Sequence, residues 1–539
     1  MGYVNRQVLK SSDRLILIFL ILGIFLRFYG FWNSSLWADE VLYLEIQRFD
    51  FLHRITIWFV KVILQNFPSL DAEFVIRFPY VVMSSLSLVV LAKIAKLFGR
   101  DEELVSFILF CSSFFMSIIG QEATAWSMAC FFYLLSCLEF MKILQDENRG
   151  LYLFFIYSLA SIFSKEITAL WVIPLIFSLY LKRKIDFKYI LLFIFMVLIF
   201  AGIMALVISD KFEISKNYLI LLRETFKINI FSSRIYLDTF MVFSGSWWQI
   251  TSYLFLIFST IGFFSAKDRK EILYLFILPS VSVFLLTYIL FGFFSPKYLL
   301  PLFLAYIITI SKGIIYVASF VSKKLKFSRN LTVLFFISIF ILSNLRTFYE
   351  YWRLKMSFFL PLDISGVASD ICRTKNDGEE GVLIKFVSPV KLIKFPVSLG
   401  LGFYLRRCGI HLSILEEDKL VGGVIRSAGK LEVIERYMEN EKKKKYLIFL
   451  IPLDIDSSGI LRWWVRKDPT TNRLEIFIRR ILHEEDIMLN NLYVKFGIIM
   501  SEVSDLSEPK IQRIDFRFKR FFYEFFLLRT RGFKKTMFF

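Results

Sequence analysis

Histidine is almost missing from this sequence. Three occur in 539 residues, at His53, His411 and His483, and they lie far apart. The five cysteines are as thinly spread. Cys111, Cys130 and Cys137 fall inside apolar runs, where they read as ordinary core residues. With so few imidazoles and thiols, no grouping has the spacing of a structural zinc site. Acidic residues are also short, 47 Asp and Glu against 66 Lys and Arg, which leaves a net charge of +19. No internal repeat is visible. No small-residue cleavage site follows the first apolar run, so that run is expected to persist as an anchor. The largest shortage is of polar surface. Charged residues make up 21% of the chain and hydrophobic ones 56%, which excludes a single soluble domain of this size and predicts a polytopic membrane protein.

Apolar windows long enough to approach the roughly 20 residues of a bilayer span fall near 14–32, 74–98, 103–120, 125–143, 151–164, 166–181, 188–208, 250–265, 271–294, 297–318 and 331–349. They predict about eleven transmembrane helices. Threading them in order puts the basic loops on one side: Arg6, Lys10 and Arg14; Lys93, Lys96 and Arg100; Lys142 and Arg149; Lys182, Arg183, Lys184 and Lys188; Lys267, Arg269 and Lys270; Lys323, Lys324, Lys326 and Arg329. The positive-inside rule makes that side cytoplasmic. The other side then holds "SLWADEVLYLE" (34–44), "GQEATAW", "FSKEIT", a long loop near 209–249, "FSPKYLLP", and everything after about residue 350.

Between the first two windows, residues 39–66 are amphipathic and too polar to span, and they read as helix lying at the external interface. Past Trp352 charge becomes frequent. A helix near 362–373 and the β-rich runs "EGVLIKFV", "KKYLIFLIP", "RLEIFIRR" and "LYVKFGIIM" predict a soluble α/β domain over 351–509. If that region is extracytoplasmic, a disulfide is open to Cys372 and Cys408. The basic, aromatic tail at 510–539 reads as a membrane-surface segment. Outside the cytoplasm it would meet lipid and not nucleic acid.

Several external residues can carry chemistry. Asp39 and Glu40 are adjacent carboxylates, so on a helix they point about 100° apart and can serve different partners. One reading is a general base beside a substrate- or cation-binding group; the other is an N-cap with a favourable charge in the first turn. Glu122 sits beside Trp126 at a window end. Lys165 is followed by Glu166, and Lys297 and Tyr298 stand between two prolines. Each lysine alone could be snorkelling to the headgroups. Taken together, three carboxylates and two lysines on one face fit a phosphate, a sugar and an attacking hydroxyl. A phosphate at the membrane surface that carries a sugar and a long apolar chain is a polyprenyl-phosphate sugar.

The order of these elements resembles the GT-C superfamily of membrane glycosyltransferases, notably the bacterial relatives of the protein O-mannosyltransferases and the lipid A aminoarabinose transferase. "WADE" is similar to the family's Asp-Glu motif, and "VIRFPYVV", with Arg77 and Pro79, to the entry of its second span. "GQEATAWSM" is similar to the second external motif, with Thr124 and Trp126 where arginine and tyrosine are usual. "FSKEITALWVIP" resembles a lysine-bearing segment, and "SPKYLLP" an Arg-Tyr motif with Lys297 in place of arginine. The resemblance implies a transferase of the inner (plasma) membrane. It would move a hexosyl or pentosyl unit from a polyprenyl-phosphate donor to a hydroxyl acceptor, with inversion. Asp39 would be the base and Glu40 its neighbour in the catalytic motif. Glu122, Trp126, Lys165, Lys297 and Tyr298 would bind substrate. A divalent cation (Mg2+ or Mn2+) could be held at Asp39. A lipid-linked sugar flippase or an inactive scaffold of the same fold are the competing readings.

Overall fold

A computed structural model of the chain describes residues 2–31, 40, 51–67, 70–145, 150–208, 239–245, 249–291, 296–354, 364–373, 381–387, 391–416, 418, 421–422, 425, 431–435, 444–450, 453–455, 461–463, 491–495 and 498–502. Asp39, most of the 209–249 loop, the strand expected at "RLEIFIRR" and the 510–539 tail lie outside the described residues.

Among the described residues of the first 354, the apolar runs form helices. The helices are α1 (Gly2–Phe28), α2 (Phe51–Asn66), α3 (Ala72–Phe98), α4 (Arg100–Cys111), α5 (Phe114–Gln121), α6 (Trp126–Leu144), α7 (Gly150–Ser164), α8 (Ala169–Leu181), α9 (Phe187–Ile208), α10 (Gln249–Ser265), α11 (Leu278–Phe291), α12 (Leu300–Leu325) and α13 (Arg329–Leu354). Among the described residues, four helices are long and apolar enough to cross a membrane: Ala72–Phe98, Trp126–Leu144, Lys297–Leu325 and Arg329–Phe348. The protein is a helical membrane protein.

The window at 103–120 is not one straight helix. It breaks at Ser112–Ser113 with a bend of 52° between α4 and α5, and counting that pair as one span gives five. No proline marks the break. Ser112 Oγ instead donates back to the Ile108 carbonyl at 2.8 Å, and Ser113 Oγ caps α5 by accepting from Met116 N at 3.4 Å. The side chain of Asn344 on α13 completes it. Its Oδ1 accepts from Phe114 N at 2.8 Å, and its Nδ2 donates to the Ser244 carbonyl at 2.9 Å.

Burial separates centre from periphery. In α6 and α12, 72% of the apolar window is inside the protein, against 28% in α13. Leu17, Ile18, Ile21, Phe195, Leu198, Leu334 and Phe335 are exposed on α1, α9 and α13, as lipid-facing side chains should be. Helices α10 and α12 cross with their backbones in contact. A Cβ at Gly262 would collide with the Thr309 carbonyl oxygen, and one at Gly313 with that of Phe258. Small residues allow this approach in a bilayer, where helix association depends on packing.

At the end of the bundle where α3 finishes, Lys312 Nζ stands 3.2 Å from Asp268 Oδ1 and 3.9 Å from Glu102 Oε1, and donates to the Phe98 carbonyl.

The chain after residue 363 builds a mixed sheet. Strands β1 (Gly381–Val387), β2 (His411–Leu415), β3 (Glu432–Ile434), β4 (Lys444–Leu450), β7 (Asn491–Lys495) and β8 (Ile498–Glu502) pair in the order β3-β2-β1-β4-β8-β7. The first four are parallel and the last two antiparallel. A separate ribbon pairs β5 (Leu453–Ile455) with β6 (Leu461–Trp463). Helices α14 (Ile364–Arg373) and α15 (Lys391–Arg407) pack on each other, and Cys372 and Cys408 form a disulfide at their ends. Tyr404 on α15 donates to Glu73 Oε1 in the first turn of α3 at 2.6 Å. The sheet region therefore meets the bundle at the end opposite Lys312.

Candidate active site

The site is organised around α3 and the short turn between α5 and α6. Asp71 starts α3 by accepting from Phe74 N at 3.2 Å. One turn in, the Arg77 guanidinium grips Glu40 with both arms. Nε donates to Oε1 and Nη2 to Oε2, each at 2.7 Å. The remaining arm, Nη1, donates to the Phe31 carbonyl at 2.7 Å. Ala123 N–H adds a third bond to Glu40 Oε1 at 2.7 Å. Glu40 is fully buried and Arg77 nearly so. A buried ion pair is tolerable when its geometry is good and its lone pairs are filled, and the planar fork of arginine supplies that match.

Residues 121–126, "QEATAW", join four other parts of the chain. Gln121 Nε2 donates to the carbonyls of Leu26, Arg27 and Tyr29 at 3.0, 3.1 and 3.2 Å. These carbonyls close α1 and would otherwise lack helical partners. Glu122 Oε2 accepts from Lys297 Nζ at 2.7 Å, with both side chains about 95% buried. Ala123 serves Glu40. Trp126 opens α6 and packs against Trp171 and Tyr298, with ring centroids 5.8 and 5.4 Å away. Trp171 Nε1 in turn donates to the Tyr298 carbonyl at 3.2 Å.

The two lysines differ. Lys297 does not reach for the surface; it is buried against Glu122. Lys165 lies at the end of α7, its Nζ 3.3 Å from Oε1 of an exposed Glu166. The structure thus gathers Glu40, Glu122, Trp126, Lys297 and Tyr298 into one connected group. Lys165 is in the segment that leads into α8, the helix carrying Trp171.

Sequence reasoning read Arg77 only as part of a helix entry and did not assign it a partner. Gln121, Trp171 and the buried pair His53–Tyr80 (Nδ1 to OH, 2.7 Å) were also missed. One signal was available. Glu73, Arg77, Tyr80 and Ser84 fall three or four residues apart in an otherwise apolar run, which puts them on one helix face.

Among the described residues no three His, Cys, Asp or Glu side chains come together as metal ligands. Glu40 does not fit a cation, because Arg77 and Ala123 already occupy both its oxygens.

Among solved structures the chain is similar to ArnT from Cupriavidus metallidurans. With ArnT bound to undecaprenyl phosphate it shares 11% identity at a TM-score of 0.52, over 92% of this chain and 99% of that one. With ArnT in the apo state it shares 11% identity at a TM-score of 0.54, over 93% and 100%. No family model and no curated protein matches the chain in sequence. The likeness runs through nearly the whole length of both proteins, and the fold is GT-C-like.

Proposed function

We propose that the protein is a glycosyltransferase. It moves a sugar from a polyprenyl-phosphate donor to a hydroxyl acceptor on the extracytoplasmic face of the membrane. The observation that carries this reading is the Arg77 clamp on Glu40. Glu40, fully desolvated and gripped through both oxygens, is the chain neighbour of a second carboxylate, Asp39. Glu40 is spent on holding, and Asp39 is the group left to take a proton. The acceptor hydroxyl attacks the anomeric carbon from the side opposite the phosphate and gives its proton to Asp39. The anomeric C–O bond to the phosphate breaks, polyprenyl phosphate leaves, and the configuration inverts. The ArnT structure with undecaprenyl phosphate supports a lipid phosphate as the donor's leaving group.

Lys165 and Lys297 supply positive charge to that phosphate, and unequally. Glu166 is exposed, so its pairing with Lys165 is weak and a phosphate can displace it. Lys297 would have to exchange a buried partner.

In this reading the eleven apolar windows cross or enter the membrane, with the basic loops inside. Residues 351–509 form the extracytoplasmic α/β domain. The Cys372–Cys408 disulfide supports an oxidising compartment, and the contact of Tyr404 with the Glu73 end of α3 supports placement on the side of the site.

The test uses purified protein in nanodiscs with labelled polyprenyl-phosphate sugars and extracts of envelope lipids and glycans as acceptors. Asp39→Asn should lower transfer by roughly 10²–10⁴-fold, the usual worth of general-base help, with donor affinity retained. Transfer near the wild-type rate would remove Asp39 as the base. Donor binding without transfer by the wild type would favour the flippase or scaffold.

A further inference from the structure

Four polar side chains run down one face of α3, and each is taken by a different part of the molecule. Glu73 accepts from Tyr404 at 2.6 Å, and Arg77 holds Glu40. The Tyr80 hydroxyl lies 2.7 Å from His53 Nδ1 on α2. Ser84 Oγ accepts from Arg27 Nε on α1 at 3.0 Å. Pro79 falls between the second and third of these. Proline has no N–H, so the helical bond that residue 79 would donate to the Val75 carbonyl is missing, and its ring crowds that turn. Such positions are where helices bend.

Helix α3 is continuous from Ala72 to Phe98, and Pro79, where one backbone hydrogen bond is missing, divides it into a forward and a rear piece. The rear piece is tied to α1 and α2 and packed in the bundle. The forward piece, residues 72–78, carries Glu73 and Arg77 one turn apart. It is packed on the bundle through Ala72, Val75, Ile76 and Arg77, and a contact from outside the bundle can hold it further where the Pro79 bond is missing.

Tyr404 is such a grip. It is buried, and it comes from 331 positions further along the chain. Its own helix is secured four residues later, where Cys408 is bonded to Cys372 at the end of α14. The tyrosine thus stands on a fixed base.

We infer that Tyr404 is a positioning residue for the transfer reaction. By holding Glu73 it sets the forward piece of α3, and through Arg77 it sets where Glu40 stands. The chemical half of this inference rests on the transferase reading above; the geometric half does not.

The experiment compares wild type, Tyr404→Phe, Glu73→Leu and Glu73→Gln in nanodiscs. It measures amide exchange in peptides covering 70–80 alongside transfer kinetics. Glu73→Gln keeps a carbonyl oxygen for the tyrosine; the other two variants lose the bond. Tyr404→Phe and Glu73→Leu should each speed exchange at Ile76, Arg77 and Phe78 and lower kcat about tenfold, with donor KM within about twofold of wild type. A tenfold change corresponds to about 1.4 kcal/mol, within the range of a single intramolecular hydrogen bond. Glu73→Gln should stay near wild type, and the double variant Tyr404→Phe/Glu73→Leu should be no worse than either single one. Unchanged exchange in Tyr404→Phe and Glu73→Leu overturns the inference whether or not transfer is detected. So does an equal loss in Glu73→Gln, or a change confined to KM. If Tyr404→Phe does not fold, the contrast between Glu73→Leu and Glu73→Gln decides the question from the membrane side. A wild type with no transfer would defeat the transferase reading and leave amide exchange to judge the positioning.

Discussion

Glu122 and Lys297 are 175 residues apart and share one hydrogen bond inside the bundle. Removing either leaves the other charged and buried, a situation that costs roughly 3–5 kcal/mol. Lys297→Ala should therefore lower the melting temperature as well as donor affinity, and Glu122→Ala should match it in stability. Lys165→Ala should weaken donor binding and cost less in melting than Lys297→Ala, because the ion pair it loses is with an exposed Glu166. Thermal unfolding in detergent, run beside donor titration, separates the two lysines; equal melting losses would show that they share one role. Arg77→Lys should fail to replace arginine, since an ammonium cannot bridge both oxygens of Glu40 and also reach the Phe31 carbonyl. These residue types were legible in the sequence as charges expected on one side of a membrane. Their pairing was not. The charge of alternating loops predicts the side on which a group lies, but not which of several distant groups it meets once both are buried.

At the scale of elements, apolar windows read from the sequence coincide with helices because a bilayer leaves the backbone few other ways to satisfy its own hydrogen bonds. The break between α4 and α5 escaped that reading. It is made by two serines and by an asparagine on another helix, and none of these interrupts the run of apolar residues enough to be seen. Asn344→Leu should expose its importance. It would strand the Phe114 N–H and the Ser244 carbonyl inside the bundle, at roughly 1–3 kcal/mol for each buried group left unpaired. The expected result is a lower melting temperature, and Asn344→Asp should not rescue it, because a buried carboxylate can accept from Phe114 but cannot donate to the Ser244 and Phe340 carbonyls. Gly313→Val should be worse than either, since its side chain would have to occupy the space of the Phe258 carbonyl.

For the whole molecule, the sheet region was foreseen from composition, and strands Gly381–Val387 and Lys444–Leu450 fall where β-rich runs were read. Its parallel centre was not foreseen, because β2 and β3 are too short to stand out from their loops. Reporter fusions after Lys184 and Lys324 should read as cytoplasmic, and fusions after residue 360 as exterior; a cytoplasmic C-terminal region would undo the proposed site. The disulfide offers a second check on the same point. It closes a segment with a sequence separation of 36, which in the chain-entropy account is worth about 4 kcal/mol. Cys408→Ser should accordingly sensitise the sheet region to limited proteolysis while leaving the bundle resistant.

The packing of Trp126, Trp171 and Tyr298 gives the protein an internal optical reporter. Tyr133 lies on the far side of Trp171, 5.2 Å between centroids. Rings this close share their excitations, so the group should dominate the near-ultraviolet circular dichroism. Tyr298 is bonded along the chain to Lys297. Any ligand that draws Lys297 away from Glu122 must disturb these rings, and titrating a lipid phosphate into unlabelled protein should register as a change in the ellipticity of the tryptophan bands.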